Sequence, residues 1–150
     1  MSVQESRAHQ VQMMLPKIKI PAGIKIRAWT KANFEAIQEL SSAEGWPTPE
    51  QRPEEALAAW RHSWPTLVAT DGARVIGFVR ALTDGEVTTY IGELLVEPEY
   101  RGQGIGRGLL DMCHYLFPHT RFDLLSTDEA DQFYKALGFR PFKGYRKSYQ

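Results

Sequence analysis

The apolar residues of the chain recur with two spacings, one typical of strands and one typical of helices. Alternation of apolar and polar residues predicts strands over residues 24–27, 67–70, 75–82 and 87–96, and a short apolar run predicts a buried strand over 122–125. Apolar residues three and four positions apart predict helices that start after Thr30, near Pro53, at Ile105 and at Asp128. Both patterns occur along the chain, which indicates a protein that mixes the two kinds of element.

The order of these elements predicts one α+β domain. It is β-α-α-β-β-β-α-β-α-β, where the last strand is the extended segment from Phe139 onward. The right-handed crossover rule places the strand over 122–125 parallel to the strand over 87–96, whereas the strands before it are antiparallel. Residues 1–16 are mostly polar and predict a flexible N-terminal tail ahead of a single domain over 17–150.

Composition and charge exclude several classes of protein. The chain has 150 residues, of which 43% are hydrophobic, enough for one domain with a core. Eighteen basic residues balance eighteen acidic ones, so charge gives no reason to expect a nucleic acid or an anionic membrane as a partner. No apolar run approaches the roughly 20 residues that span a bilayer, and no secretory signal is visible. With a single cysteine, Cys113, we expect a cytoplasmic protein without an internal disulfide.

Residues 101–108, at the junction of the strand over 87–96 and the helix that starts at Ile105, are rich in glycine. Four glycines occur within seven residues, and Arg101 and Arg107 lie beside them. A helix start offers free amides and a positive dipole end to an anion, and glycines let the backbone approach it closely. The segment matches neither the G-x-G-x-x-G dinucleotide fingerprint nor the G-K-[ST] end of a P-loop. The pattern therefore predicts a diphosphate cradle of another kind.

Two motifs in this half of the chain resemble those of the GCN5-related N-acetyltransferase (GNAT) superfamily. The first, [RQ]-x-x-G-x-[GA], is met by residues 101–106 and follows an L-x-V-x-P-x-Y-R-G spelling that starts at Leu94. The second, F-Y-x-x-x-G-F, is met by residues 133–139. The resemblance is strong over residues 86–140. It implies a mixed, mostly antiparallel central sheet flanked by helices, with parallel central strands that splay apart.

The resemblance also implies an N-acetyltransferase that moves an acetyl group from acetyl-CoA to an amine without an acyl-enzyme. In such an enzyme the pantetheine arm would pair with the backbone of Leu94, Leu95 and Val96, and Thr127 stands where many members carry an asparagine that contacts this arm. The hydroxyl of Tyr134 would lie near the coenzyme sulfur as general acid, since a phenol is protonated at neutral pH. The pyrophosphate would be bound by the glycine-rich loop, namely Arg101, Gly102, Gln103, Gly104, Ile105, Gly106 and Arg107.

Glu93 is the leading candidate for the general base, with Glu86, Tyr90 and a water relay as alternatives. Simple alternation along residues 87–96 would put Glu93 on the same face as the apolar Ile91. A bulge near residues 92–94 would turn Glu93 to the other face, and bulges often lie beside active sites. A buried strand with Glu93 near its end is the alternative interpretation.

Other reactive side chains are assigned to packing or to solvent. Cys113 lies on the apolar face of its helix, which indicates packing rather than nucleophilic catalysis. The histidines His62, His114 and His119 lack the spacing of metal ligands, so we expect no metal site.

The sequence leaves the acceptor open. Trp46, in a proline-rich loop, and Tyr90, on a central strand, are the candidate substrate contacts, whereas Trp60 and Trp64 have the spacing of core residues. A small-molecule amine is the favoured acceptor. The alternatives are a protein or peptide acceptor, a non-catalytic CoA-binding sensor of the same fold, and a nucleotide-binding regulatory domain. Members of the superfamily are often dimeric, so the resemblance leaves a homodimer open as well.

Overall fold

A five-stranded sheet in the order β1-β2-β3-β4-β5 forms the centre of the computed structural model, which describes residues 1–149. The strands are β1 (Ile24–Ala28), β2 (Thr66–Asp71), β3 (Arg74–Thr83), β4 (Thr88–Val96) and β5 (Arg121–Leu124). Neighbours from β1 to β4 are antiparallel, whereas β4 and β5 are parallel. This confirms the mixed, mostly antiparallel sheet and the parallel strand that the sequence predicts.

Helices pack on both faces of the sheet. They are α1 (Val3–Met14), α2 (Phe34–Ala43), α3 (Thr48–Gln51), α4 (Pro53–Arg61), α5 (Ile105–Leu116) and α6 (Asp131–Ala136). One face packs against α2 and α4 around Trp60 and Phe78, and the other packs against α1 and α5 around Ile26 and Met112. Within residues 1–149 no helix combines the length and the hydropathy that crossing a bilayer requires.

Helix α5 shows how the apolar spacing sets the packing. Its residues Ile105, Leu109 and Met112 recur at helical spacing and are at most 1% exposed, so this stripe faces the core. Gly108 lies on the same side of the helix, and a Cβ added there would come within 2.7 Å of Cγ2 of Ile20. The glycine therefore allows α5 to approach the segment that leads into β1 closely.

The N-terminal residues differ from the tail that their composition predicts, because residues 3–14 form helix α1. The side chain of Ser2 accepts a hydrogen bond from the Glu5 amide, and the Glu5 side chain closes a capping box with the Ser2 amide. Val11 is 1% exposed in the core, and Nε2 of Gln4 donates to the carbonyl of Trp29 at 3.1 Å. Val11 is the only residue of this helix that is fully buried, so the segment carries almost no apolar periodicity from which a helix could be predicted.

The strand predicted from Phe139 onward is wrong over the residues described. Residues 139–149 carry no regular secondary structure, and the side chains of Phe142, Tyr145 and Tyr149 are at least 76% exposed. Apolar side chains scattered among basic ones offer no continuous face for a sheet to bury, so β-propensity alone does not produce a strand here.

We predict that α1 contributes to the stability of the fold. Replacing the buried Val11 by alanine removes two methyl groups from the core and should lower the free energy of unfolding by about 1–3 kcal/mol. Met13→Ala, on the same helix but 63% exposed, is the matched control and should change it by less than about 0.5 kcal/mol. Urea denaturation of both variants measures the difference. Equal stabilities would contradict the docking of α1.

Candidate active site

Among the described residues 1–149, the C-terminal half of β4 has a strand neighbour on one side only. It pairs with β3 as far as Val96, but β5 pairs only with Thr88–Ile91. The carbonyl of Val96 accepts a hydrogen bond from Nε of Arg101 at 2.8 Å, whereas the next amide, of Glu97, donates toward β3 at 2.8 Å. Since peptide groups alternate along a strand, those of Leu94 and Val96 face the side that β5 leaves open.

A β-bulge at Gly92 separates the two halves of β4. Arg80 pairs with Glu93 and Ala81 with Ile91, so Gly92 is the extra residue. The bulge reverses the alternation, and Glu93 lies across from Arg80 rather than on the face of Ile91. This confirms the bulge predicted near residues 92–94. The prediction rested on the misfit of an acidic side chain with the apolar face.

The Glu93 carboxylate forms a partly buried ion pair with Arg80. Its Oε1 lies 3.2 Å from Nε and 3.1 Å from Nη2 of Arg80, and Nη1 of Arg80 lies 3.2 Å from Oγ of Ser63. Oε2 is buried and has no hydrogen-bond partner within the described chain. A buried acceptor without a partner is unfavourable by about 1–3 kcal/mol, so Oε2 keeps an unused capacity to accept a hydrogen bond.

The glycine-rich loop at the start of α5 has the geometry of an anion cradle. Gly102 and Gly104 have φ angles of +78° and +88°, and a Cβ added at either would meet nothing within 4 Å. Gly104 is the N-cap of α5 and supplies no side chain to the helix amides. Free amides beside open space, at the positive end of a helix dipole, suit a phosphate group. The loop therefore fits the pyrophosphate of a coenzyme.

The two arginines beside this loop bind carboxylates of the chain. Arg101 donates from Nη2 to Glu44 at 2.6 Å, which ties the loop to the end of α2. Arg107 lies 3.6 Å from Asp111 one turn along α5, and both side chains are largely exposed. Gln103 and Ile105 complete the loop, with Gln103 exposed and Ile105 in the core. The sequence does not indicate that Arg101 has a structural partner 57 residues away.

Tyr134 lies on α6, which packs next to the start of α5. A Cβ added at Gly106 would come within 3.2 Å of Cζ of Phe133, so glycine permits this close approach. The Tyr134 ring makes edge contacts with Phe133 and Phe139, at centroid distances of 5.0 and 5.5 Å. Burial raises the pKa of the Tyr134 phenol above its ordinary value, so the group stays protonated at neutral pH.

The other residues predicted for the site are Tyr90, Glu86, Thr127 and Trp46, and they lie in different parts of the structure. Tyr90 faces Leu82 across β3 and β4, and therefore lies on the same face as Glu93, toward α2 and α4. Glu86 lies in the turn before β4, far along the strand from Leu94. Thr127 is exposed and precedes the turn over residues 128–130, but its side chain caps no amide of that turn. Trp46 is 36% exposed in the loop after α2.

Two tryptophans and the cysteine are packing residues. Trp60 is 1% exposed, between Trp29 and Phe78, and Trp64 is 9% exposed in the opposite core cluster. This confirms their prediction as core residues. Cys113 is fully buried, and burial raises the pKa of its thiol, so the nucleophilic thiolate is disfavoured there.

Comparison with known sequences matches the part of the chain that contains β4, the glycine-rich loop and α6. The family described as "Acetyltransferase (GNAT) domain" matches residues 62–141, just over half of the chain. Histone acetyltransferase TAP1 of Glycine max is 30% identical over 118 residues, which cover 69% of this chain and 50% of that protein. GCN5-related N-acetyltransferase 2, chloroplastic, of Arabidopsis thaliana is 33% identical over 69 residues, which cover 44% of this chain and 27% of that protein. The chain spans half or less of the length of the curated relatives it matches.

Comparison with solved structures extends the similarity beyond the region that the family description matches. A GNAT-family acetyltransferase from Streptococcus pneumoniae TIGR4 superposes with a TM-score of 0.70 at 27% identity. The match covers 85% of this chain and 97% of that one, well beyond the region that the family description matches.

We predict that the Tyr134 phenol ionises above the ordinary tyrosine pKa of about 10. Because burial disfavours the phenolate, the difference in tyrosinate absorbance between the wild type and Tyr134→Phe should have its midpoint above that value. A midpoint at or below the ordinary value for Tyr134 would contradict its burial.

Proposed function

The chain belongs to the GNAT acetyltransferases, and we propose that it transfers the acetyl group of acetyl-CoA directly to a primary amine of a small molecule. One observation carries this proposal, namely that the unpaired edge of β4 runs into the glycine cradle at the start of α5. An extended ligand with a diphosphate at one end matches both features at once. Acetyl-CoA is the donor that the family generally uses.

Binding of the donor rests mainly on backbone groups. The open peptide groups of Leu94 and the amide of Val96 offer hydrogen bonds to an extended amide-containing arm, as a further strand would. The loop from Gly102 to Gly106 would hold the pyrophosphate on the α5 amides. Arg101 and Arg107 add positive charge beside the loop, although carboxylates of the chain hold both.

The transfer step requires one group to take a proton and another to give one. The nitrogen of the neutral amine attacks the thioester carbon, the C–N bond forms and the C–S bond breaks. The amine nitrogen loses a proton to the free oxygen of Glu93, and the departing thiolate takes a proton from the Tyr134 hydroxyl. Solvent then restores both groups. The buried, protonated phenol of Tyr134 and the unpartnered Oε2 of Glu93 support these roles.

The acceptor would lie on the face of the sheet that carries Glu93. Tyr90 shares this face, and the loop with Trp46 follows α2 on the same side. The zero net charge of the chain gives no electrostatic reason to expect a charged protein as acceptor, which favours a small amine. The similarity to a histone acetyltransferase of Glycine max favours the alternative, a protein or peptide acceptor.

Calorimetry with acetyl-CoA, CoA and ADP, followed by thiol release with a panel of amines, tests the proposal. The panel contains tyramine, spermidine, kanamycin, lysine and a lysine-containing peptide. We expect acetyl-CoA to bind more tightly than ADP and at least one small amine to release thiol. Transfer to the peptide alone would support the protein acceptor. Binding without any transfer would support a CoA sensor, and equal binding of ADP a nucleotide-binding regulatory domain.

We predict that Gly104→Ala weakens acetyl-CoA binding by about tenfold or more. An alanine strains the backbone at positive φ and points a methyl group into the open space of the cradle. Gly23→Ala is the matched control, because Gly23 has a φ of +85° and also has nothing within 4 Å of its added Cβ. It should cost similar stability and leave the calorimetric affinity unchanged. Equal affinities for the two variants would remove Gly104 from the cradle.

We predict that Tyr134→Phe lowers kcat by about 10²-fold while the affinity for acetyl-CoA stays the same. The substitution removes the hydroxyl proton that the thiolate takes but keeps the packed ring. Thiol release with the best amine of the panel measures kcat, and calorimetry measures the affinity. Tyr145→Phe, at an exposed position, is the control. An unchanged kcat in Tyr134→Phe would assign the acid role to another group.

A further inference from the structure

The ion pair of Arg80 and Glu93 joins β3 to the half of β4 that β5 does not pair. We propose that Arg80 and Ser63 are positioning residues that hold the Glu93 carboxylate with one oxygen free for the N–H of the acceptor amine. This inference rests on the proposed function. It adds Arg80 and Ser63, which set the direction of the carboxylate. Neither residue belongs to the two motifs or takes part in the transfer step.

The guanidinium occupies only one oxygen of the carboxylate. Nε and Nη2 of Arg80 both approach Oε1 of Glu93, at 3.2 and 3.1 Å, instead of dividing between the two oxygens. A side-on pair between arginine and a carboxylate normally uses both oxygens. Here Oε2 stays buried without a partner within the described residues. The arrangement fixes the plane of the carboxylate and leaves one acceptor position unused.

Ser63 fixes the other end of the guanidinium. Its Oγ lies 3.2 Å from Nη1 of Arg80 and donates to the carbonyl of Ala59 at 2.6 Å. Ser63 is 2% exposed and lies just beyond the end of α4. The hydroxyl thus uses its proton on the helix and its lone pair on Arg80. The chain Ala59–Ser63–Arg80–Glu93 connects α4 rigidly to the carboxylate on β4.

Gly92 supplies the space in which the Arg80 side chain lies. A Cβ added at Gly92 would come within 3.2 Å of Nη2 and 3.3 Å of the carbonyl oxygen of Arg80. Gly92 has no positive φ, so the backbone does not require glycine there. The steric need of the guanidinium explains the glycine, and the same residue forms the bulge that turns Glu93 toward Arg80.

Burial of the arginine distinguishes this pair from a second arginine–glutamate pair, which joins the first residue of β3 to the residue that follows β4. The side chains of Arg80 and Glu93 are 19% and 25% exposed. Arg74 pairs with Glu97, whose Oε2 is also buried without a partner among residues 1–149. The side chain of Glu97 is 17% exposed, but that of Arg74 is 58% exposed. Charges removed from water gain little net stability from pairing. The added serine anchor and the glycine indicate that the arrangement of Arg80 and Glu93 serves the direction of the carboxylate.

Kinetics with tyramine and spermidine as acceptor probes test the positioning role. Arg80→Met should lower kcat by about 10²-fold, because the carboxylate is no longer held in line with the amine, whereas KM for acetyl-CoA stays the same. Arg80→Lys should recover part of the loss, since it restores the charge but not the contact with Ser63. Arg74→Met is the matched control and should leave kcat unchanged. An unchanged kcat in Arg80→Met, or no recovery in Arg80→Lys, would overturn the proposal.

Gly92→Ala tests the same role without removing a functional group. The added methyl group should displace the guanidinium and lower kcat by about tenfold, with KM for acetyl-CoA unchanged. Thermal melting of each variant shows that it is folded before its kinetics are compared. A Gly92→Ala enzyme with the wild-type kcat would contradict the role of the guanidinium position.

A measurement without any acceptor separates this proposal from the proposed function. The proton–nitrogen NMR signal of Arg80 Nε reports its hydrogen bond to Glu93 and should shift in Glu93→Gln and in Gly92→Ala, but not in Arg74→Met. If the chemical shift of Arg80 Nε is the same in Glu93→Gln as in the wild type, the positioning role is overturned, even if the enzyme acetylates amines. A wild-type chain that acetylates none of the amines would contradict the proposed function, whatever the NMR signal shows.

Discussion

Within the part of the chain that the structure describes, the C-terminal half of β4 lacks a strand partner on one side, and the candidate site depends on this gap. Buried peptide groups need hydrogen-bond partners, and an edge that nothing pairs invites an extended ligand to supply them. The gap exists because β5 leaves β4 after Ile91, one residue before the bulge at Gly92. Divergence and bulge together give one stretch of strand a free backbone edge and a reversed set of side chains.

Contacts with other elements fix the positions of the residues around the gap. Arg101 binds the carbonyl of Val96 and Glu44, and so holds the end of β4 against the end of α2. Gly106 lets α6 approach the start of α5, which brings the phenol of Tyr134 to the side of the sheet where α5 begins. The contacts that shape the site therefore link segments far apart in the chain, and each uses the absence or the length of a particular side chain.

Much of this could be read from the sequence, and the misses have physical reasons. The glycine loop and the bulge are local, since positive-φ glycines and an acidic residue out of phase are visible along one segment. The link from Arg80 through Ser63 to the strand cannot be seen this way, because it depends on the register of β3 against β4 and on where α4 ends. Ser2 and Glu5 are three residues apart, as in a capping box, and this spacing indicates the start of helix α1. The polar composition of the segment predicts a tail instead. The segment after Phe139 has strand-forming residues without a face to bury.

The two substrates differ in how far sequence can identify them, because different parts of the chain recognise them. The donor would be held by backbone groups, which need only glycines at fixed spacing and a strand that runs on alone, and such requirements leave a motif. The acceptor would be met by side chains on the face of α2 and α4, such as Glu93 and Tyr90. Their identity and direction are set by tertiary contacts and can vary without breaking the fold. In the proposed mechanism Arg80 binds Oε1 of Glu93 and thereby sets the direction of Oε2, and no motif in the chain records this contact.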